Sequence, residues 1–339
     1  MGNDISLKTD VFYQKMRHLM SNNILRTPTN AMTNRTKVEA GGISMALAMP
    51  FNSGQLTVGV DGDQSNHDAN STMTMMGGTS ATNYFNKVER DRYSIFTEWA
   101  GAVSEDISVE LGARYTHTWS DAGDVSSEIA MGATSRTNAR NAFNALERTK
   151  NYNLVDLVAE LQFNASSELD VNVGVARKNR APTYQELYLW YGSAANAGFA
   201  DGKTYIGDTG LEAETAYQFD LGLDWHTADV YVAPNVFYHY VEDYIMGQTS
   251  VKAQGGTGND YDADLQWSNI GGAQFFGAEL EAGYKFTDHI RTDASLNYVR
   301  GMRINALNGD DDLYRIAPLN GRLQLTYEES NWSTSMEGV

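Results

Sequence analysis

The stretch LEAETAYQFDLGLDWH, residues 211 to 226, alternates between two kinds of side chain. One row is apolar or uncharged and consists of Leu211, Ala213, Thr215, Tyr217, Phe219, Leu221, Leu223 and Trp225. The other row is mostly acidic or polar and contains Glu212, Glu214, Gln218, Asp220, Asp224 and His226. Because successive side chains of a strand point to opposite faces, the stretch predicts a long strand with one apolar and one acidic face.

The same period of two recurs along the chain, in residues 56–60, 107–119, 169–175 and 276–286. No comparable helical period is found, and no run approaches the ~18 apolar residues that a membrane helix needs. The predicted fold class is therefore all-β. Several predicted strands are longer than the ~5–6 residues usual in soluble sheets.

The connections between these strands alternate in length. Short turns are predicted near residues 50–54, 103–106, 165–168, 226–229 and 286–289. Long polar connections are predicted at 18–34, 62–87, 121–149, 181–210, 243–268 and 302–312. A soluble β-sandwich or solenoid is the alternative, but loops beyond ~12–15 residues are uncommon in compact domains. Short turns at one end and long loops at the other favour a transmembrane antiparallel β-barrel with short periplasmic turns and long extracellular loops.

The amino-acid composition excludes some classes of function and structure. The 339 residues include 43 acidic and 25 basic side chains, a net charge of −18 that argues against a nucleic-acid partner. Cysteine is absent, which excludes disulfides and zinc–thiolate sites. The mean hydropathy of −0.43 fits a barrel as well as a soluble protein, because every second barrel residue faces the lumen. The opening MGNDISLKTD lacks the features of a signal peptide, so a membrane location implies a longer parent protein.

Four motifs follow one another between residues 176 and 245. They comprise Arg180, Pro182, Thr183, Glu186, Leu187 and Tyr188; then Ile206, Gly207, Leu211 and Glu214; then Leu221, Gly222 and Trp225; then Phe237, Tyr238, Asp243, Tyr244 and Ile245. Their order and spacing resemble the barrel of TonB-dependent outer-membrane receptors. The chain departs from that pattern at Asp208, Thr209 and Ala213, where the family usually has Asn, Pro and Pro.

The resemblance implies a single domain over residues 1–339 that forms part of a receptor barrel. About 13 of the family's 22 strands are expected, with the plug domain, the TonB box and the last strands absent. It also implies a Gram-negative outer-membrane location, contact with lipid and lipopolysaccharide, and TonB-driven uptake of a scarce metal or metal chelate. TonB would be contacted through the missing plug. The alternative is a passive porin-like or adhesin-type barrel.

No enzymatic activity and no bound cofactor are expected. The six histidines are scattered and do not accompany a serine nucleophile and an acidic partner in a hydrolase-like pattern. No phosphate-binding or dinucleotide-binding fingerprint occurs in the sequence.

The triplet His18–Leu19–Met20 is the first candidate for a ligand site. Met16, His18 and Met20 would share one face if the strand extends that far, and thioether and imidazole groups suit copper. The copper-receptor branch of the family carries a similar His-x-Met pair, and HLMSNNILR matches it at His18, Met20, Asn22, Leu25 and Arg26. That branch is expected to draw its remaining soft ligands from the plug. Chance occurrence of the triplet is the alternative, since methionine commonly fills gaps.

Two further sets of side chains are candidates for ligand contact. Met73, Met75 and Met76 form a cluster in a predicted outer loop, where they could capture a soft ion or belong simply to the loop. Tyr184, Tyr188, Trp190 and Tyr191 could hold a ferric siderophore, which is the rival ligand to copper. The same aromatics could instead belong to an interfacial girdle.

Overall fold

The computed structural model describes residues 5–25, 28–75, 78–128, 140–192, 201–249, 265–304 and 311–339. Its strands are β1 (Ser6–Ser21), β2 (Ala31–Phe51), β3 (Gly54–Met75), β4 (Gly78–Ala102), β5 (Ile107–Asp121), β6 (Ser126–Glu128), β7 (Lys150–Ser166), β8 (Leu169–Arg180), β9 (Tyr205–Ile206), β10 (Glu214–His226), β11 (Val230–Glu242), β12 (Ile245–Gln248), β13 (Leu265–Asn269), β14 (Gly272–Lys285), β15 (Ile290–Arg303), β16 (Asn320–Glu329) and β17 (Trp332–Gly338). A short helix, α1, spans Tyr184–Tyr188. No helix among the described residues is long and apolar enough to cross a membrane.

One large antiparallel sheet dominates the fold. Its order is β1-β2-β3-β4-β5-β7-β8-β10-β11-β14-β15-β16-β17, with β6 paired to β4, and it does not close on itself. A small sheet, β12-β13-β9, lies apart from this path. The predicted all-β class and the count of about 13 strands are therefore confirmed.

The two ends of the large sheet differ as the sequence predicts. Short turns join β2–β3, β4–β5, β7–β8, β10–β11 and β14–β15. A further short turn, not predicted from the sequence, joins β16–β17. We call this the short-turn end and the opposite one the long-loop end. Successive connections lie at alternate ends of the sheet because strands that are neighbours in sequence pair antiparallel.

Cross-strand register separates the side chains of the sheet into two faces. On one face, apolar residues lie opposite one another from strand to strand; Val60 pairs with Ile95, Ile95 with Tyr115, and Tyr115 with Val155. These side chains are exposed, Ile95 to 59%. On the other face polar and charged residues lie opposite one another, among them Asp61, whose carboxylate contacts Arg114 at 2.5 Å. We refer to these as the apolar face and the polar face.

The long connection predicted at residues 62–87 is wrong. β3 and β4 continue through it as a paired hairpin, with Asn66 opposite Glu89 and Ser71 opposite Thr82. Polar residues occupy both faces there, so the apolar alternation disappears although backbone pairing persists. The connection predicted at 18–34 is likewise shorter, because β1 reaches Ser21 and β2 begins at Ala31. The strand predicted over residues 211–226 begins at Glu214 rather than Leu211.

Buried apolar side chains gather at the long-loop end rather than along the sheet. The largest group, which we call the mouth cluster, consists of Ala69, Tyr84, Phe85, Val88, Ala122, Leu187, Tyr188, Leu189, Tyr205, Leu211, Ile245 and Trp267. It joins α1 and the segments around β9 and β13 to the polar face of β3 and β4. The loops at this end are therefore packed onto the inner surface of the sheet.

Candidate functional site

The helix α1 at the long-loop end is specified by a local sequence signal. Thr183 is its N-cap: the Thr183 hydroxyl accepts a hydrogen bond from the Glu186 amide at 3.2 Å. The Glu186 carboxylate in turn accepts one from the Thr183 amide at 2.7 Å. This reciprocal pair is a capping box, for which Thr-x-x-Glu is the sequence signature. The signature stands in the first motif, so this helix could have been predicted from the sequence.

An ion-pair network around Arg180 fixes α1 to the sheet. The Arg180 guanidinium donates to both oxygens of Glu186, at 2.8 and 3.1 Å, and to Glu214 at 2.6 Å. The other Glu214 oxygen accepts a hydrogen bond from the Ile245 amide at 2.7 Å. Glu186 and Glu214 are both buried. We call Arg180, Glu186, Glu214 and Ile245 the Arg180 network; it joins residues from three of the four motifs.

Gly207 allows the segment after β9 to lie directly on α1. The Gly207 amide donates to the Leu189 carbonyl at 2.7 Å, and the Asp208 amide donates to the Glu186 carbonyl at 2.8 Å. A Cβ atom at position 207 would lie 2.6 Å from the backbone of Leu187. Glycine is therefore required by close backbone approach. Asp208, which replaces the usual Asn, accepts a hydrogen bond from the Gly210 amide at 2.7 Å and so stabilises the turn by itself.

The four aromatic candidates lie together at the long-loop end but differ in accessibility. Tyr188 and Trp190 are fully buried, and the Tyr188 hydroxyl donates to the Arg148 carbonyl at 2.7 Å. Burial raises the pKa of the Tyr188 phenol. Tyr191 is also buried and packs edge-on against Trp190 at 4.9 Å. Tyr184 keeps part of its surface exposed, and its ring stacks on His67 at 4.2 Å. Of these four residues, Tyr184 is therefore the one that offers an accessible ring to a ligand.

The three residues of the copper hypothesis share one face of β1. The strand extends to Ser21, so Met16, His18 and Met20 alternate along it and lie opposite Val38, Thr36 and Asn34 of β2. Val38 in turn lies opposite His67, whose ring contacts Tyr184 of α1. The shared face is therefore the polar face. Met16 and Met20 are 47% and 43% exposed, so both thioethers are accessible.

The methionine cluster is placed only in part. Met73 lies on β3 opposite Met32, on the same face as Met20. Met75 is the last residue of β3; its side chain and all of Met76 lie outside the described residues. Sequence reasoning missed Met32 and His67, because only the strand register reveals which face they share with His18. Within the described ranges, no three His, Cys, Asp or Glu side chains form a metal-holding group.

Comparisons with known proteins fit this geometry. Among solved structures, the copper transporter OprC superposes with a TM-score of 0.75 at 22% identity, covering 98% of this chain and 48% of that one. The ferric citrate transporter FecA in its unliganded form gives 0.63 at 13% identity, with 98% and 46% coverage. The ferric yersiniabactin uptake receptor FyuA from Yersinia pestis gives 0.60 at 15%, with 98% and 46%. The chain thus spans about half the length of each.

These identities are low, so the structural likenesses establish the fold alone. Comparison with curated protein sequences gives no match. The family described as TonB dependent receptor-like, beta-barrel matches residues 2–339, which is nearly the whole sequence. The chain belongs to the TonB-dependent receptor β-barrel family.

Proposed function

We propose that this chain is the barrel part of an outer-membrane receptor that imports copper with energy supplied by TonB. The observation that carries the proposal is the placement of Met16, His18 and Met20 on the polar face of β1, at the long-loop end. Two thioethers and an imidazole form a soft to borderline donor set, which suits copper better than the oxygen ligands preferred by harder ions. The likeness to the copper transporter OprC is in keeping with this ligand.

In this proposal the apolar face contacts lipid and the polar face lines the lumen. The apolar row of β5 runs from Ile107 to Tyr115. Eight steps of about 3.3 Å give about 26 Å of strand, and a tilt of about 40° reduces this to about 20 Å, near the height of a lipid-facing band. Residues 1–339 would form one barrel domain. TonB would act through a plug and TonB box elsewhere in the protein, and lipopolysaccharide would surround the outer rim.

Copper would approach from the long-loop end. Met32 and Met73 lie opposite each other on the polar face, beyond Met20 toward the loops. Directly opposed residues of antiparallel strands have Cβ atoms about 4.5–5.5 Å apart, so both thioethers can reach one ion. The barrel wall therefore offers soft donors at successive depths. Weak individual ligands would allow an ion to pass from one to the next.

A ferric chelate is the second candidate ligand. Its supporting observation is Tyr184, which presents a partly exposed ring beside His67 on the same face. Aromatic side chains bind flat or cationic ligands through their π faces. The likenesses to FyuA and FecA are compatible with such a ligand. A passive porin-like barrel is the remaining alternative.

Copper binding by the full-length receptor tests the proposal. We expect His18→Ala combined with Met20→Ala to weaken copper affinity at least tenfold, measured by calorimetric titration of the purified receptor. Met45→Ala is the matched control, because Met45 lies on β2 on the apolar face and is exposed there. Unchanged affinity in the double variant would exclude the site. Saturable binding of a ferric chelate that Tyr184→Ala abolishes would favour the rival ligand.

A further inference from the structure

A row of hydrogen-bond donors crosses three strands of the polar face near the long-loop end. Arg90 of β4 lies directly opposite Ser120 of β5, and Ser120 lies directly opposite Lys150 of β7. Directly opposed residues have Cβ atoms about 4.5–5.5 Å apart, so Arg90 and Lys150 flank Ser120 at about 10 Å from each other. Thr118 lies two residues from Ser120 on the same face. We call Arg90, Thr118, Ser120 and Lys150 the Ser120 site.

The two hydroxyl groups of this site are buried and unpaired. Ser120 and Thr118 are each only 1% exposed, and within the described part of the chain neither hydroxyl oxygen has a hydrogen-bond partner. Tyr152 lies opposite Thr118, but its own hydroxyl donates to the Leu211 carbonyl at 2.8 Å. Buried polar groups nearly always have a partner, so two adjacent hydroxyls that meet none in the protein indicate a place for a ligand.

The Arg90 guanidinium lacks an ion-pair partner among the residues that the structure describes. Its side chain is partly buried, and the nearest acidic groups that act on it are Asp63 and Glu186. Both are already engaged: Asp63 contacts Arg92 at 2.7 Å, and the two Glu186 oxygens accept from Arg180 at 2.8 and 3.1 Å. A partly buried cation whose acidic neighbours are engaged is suited to an anion from outside the described chain.

The second cation and the surroundings of the site favour the same kind of ligand. Lys150, the first residue of β7, is partly buried and likewise forms no ion pair within the described ranges. Val88, two residues from Arg90, is fully buried in the mouth cluster, and Tyr152 packs against that cluster. The apolar neighbourhood strengthens the attraction between these cations and an anion. Arg90 and Lys150 keep part of their surface exposed, so an ion can reach them from the polar face.

We propose that the Ser120 site binds a tetrahedral oxyanion of the phosphate class. Two cations match the charge of about −1.5 to −2 that a phosphate group carries near pH 7. The Arg90 guanidinium would donate paired hydrogen bonds to two oxygens, while the hydroxyls of Ser120 and Thr118 and the Lys150 ammonium would donate from other sides. A tetrahedral ion accepts from several sides at once, whereas a carboxylate offers two oxygens in one plane. The site shares no residue with the candidate copper site.

Anion binding by the full-length receptor tests this proposal. The receptor, purified in detergent in a buffer free of oxyanions, is titrated calorimetrically with inorganic phosphate, with sulfate and with acetate. We expect saturable binding of phosphate, competition by sulfate and much weaker binding of acetate. Arg90→Gln should weaken phosphate affinity at least tenfold. Lys178→Gln is the matched control, because it removes an exposed cation of the same face on β8 and should leave phosphate affinity unchanged.

The two hydroxyls are tested separately from the charges. Ser120→Ala combined with Thr118→Val removes both hydroxyls and nearly keeps the side-chain shapes, and we expect phosphate affinity to fall at least tenfold. The thermal unfolding midpoint in oxyanion-free buffer should not fall, because no hydrogen bond within the described protein is lost. Thr116→Val is the matched control: the Thr116 hydroxyl donates to the Ser94 hydroxyl at 3.1 Å, so this change should lower the midpoint and leave phosphate affinity unchanged.

Three results would overturn the proposal. The first is the absence of saturable phosphate binding by the unaltered receptor, and the second is equal phosphate affinity in Arg90→Gln and Lys178→Gln. The third is tighter binding of acetate than of phosphate, which would make the site one for carboxylates. Copper affinity of the same preparations is an independent readout: it should be the same in Arg90→Gln as in the unaltered receptor. Loss of copper binding in every preparation would refute the copper proposal and leave this one standing.

Discussion

The side chains of the apolar face and those of the mouth cluster have opposite surroundings: the first are exposed and the second are buried within the chain. On the apolar face, side chains such as Val175, 49% exposed, are open to the surrounding medium. In the mouth cluster, Leu187 and Leu189 are fully buried within the chain itself. In the proposed membrane location, the face would tolerate any residue that suits lipid, whereas the cluster depends on particular contacts. A barrel wall is therefore specified by its two environments, and its loops are specified by packing.

Charged side chains differ in the same way between the polar face and the long-loop end. Charges along the polar face, such as Arg92 paired with Asp63 at 2.7 Å, keep substantial exposure to solvent. Glu186 and Glu214 are buried instead and depend on Arg180 for compensation. A buried carboxylate without a partner is costly, while an exposed ion pair contributes little. Replacing a charged residue should therefore reduce stability more in the Arg180 network than along the polar face.

Replacing Arg180 should produce the largest effect. Arg180→Met removes the partner of two buried carboxylates, a change that costs about 3 kcal/mol, at the low end of the usual range because the guanidinium is partly exposed. Hydrogen exchange of the amides of α1 should accelerate on the order of 100-fold, since each 1.4 kcal/mol is about tenfold. Lys178→Met is the control, as Lys178 lies two residues away on the same face. Similar exchange in both variants would show that the Arg180 network does not hold α1.

A charge on the apolar face should have an effect of similar size, on the stability of the sheet rather than of α1. Val173→Lys places an ammonium group in a row that includes Leu161 and Leu221, at a cost of about 2–4 kcal/mol in lipid. Asn172→Lys, one residue earlier on the polar face, should cost less than about 1 kcal/mol. Unfolding of the full-length receptor by denaturant from lipid vesicles measures both. Equal costs would contradict the assignment of lipid to the apolar face.

The same contrast explains how much the sequence could predict. The faces of β5, β8, β10 and β14 can be predicted from alternation, because apolar and polar side chains alternate residue by residue along these strands. The hairpin of β3 and β4 beyond residue 62 could not be predicted from alternation, because polar residues occupy both of its faces. The contacts of the Arg180 network could not be predicted from the sequence either. Arg180, Glu214 and Ile245 are brought together by loop folding, which no local periodicity records.

The candidate copper site was predictable to a similar, limited extent. Alternation alone places Met16, His18 and Met20 on one face, but which face they occupy depends on their register with β2 and β3. The pairing of Met32 with Met73 also requires that register. Of the aromatic candidates, Tyr188 and Trp190 look like ligand-binding residues in a sequence, yet their burial fits them for packing. Composition cannot distinguish an aromatic that binds from one that packs.

The smallest effect is expected from the cap of α1, where a single hydrogen bond is at stake. Thr183→Ala removes the hydroxyl that accepts from the Glu186 amide, at a cost of about 1 kcal/mol. Amide exchange in α1 should then accelerate by roughly fivefold, well below the effect of Arg180→Met. Thr183→Ser keeps the acceptor and should restore protection. Because α1 is only five residues long, the cap and the Arg180 network must act together on it. The double variant Arg180→Met/Thr183→Ala should therefore lose less than the sum of the single losses, and strict additivity would mean that cap and network act on independent structures.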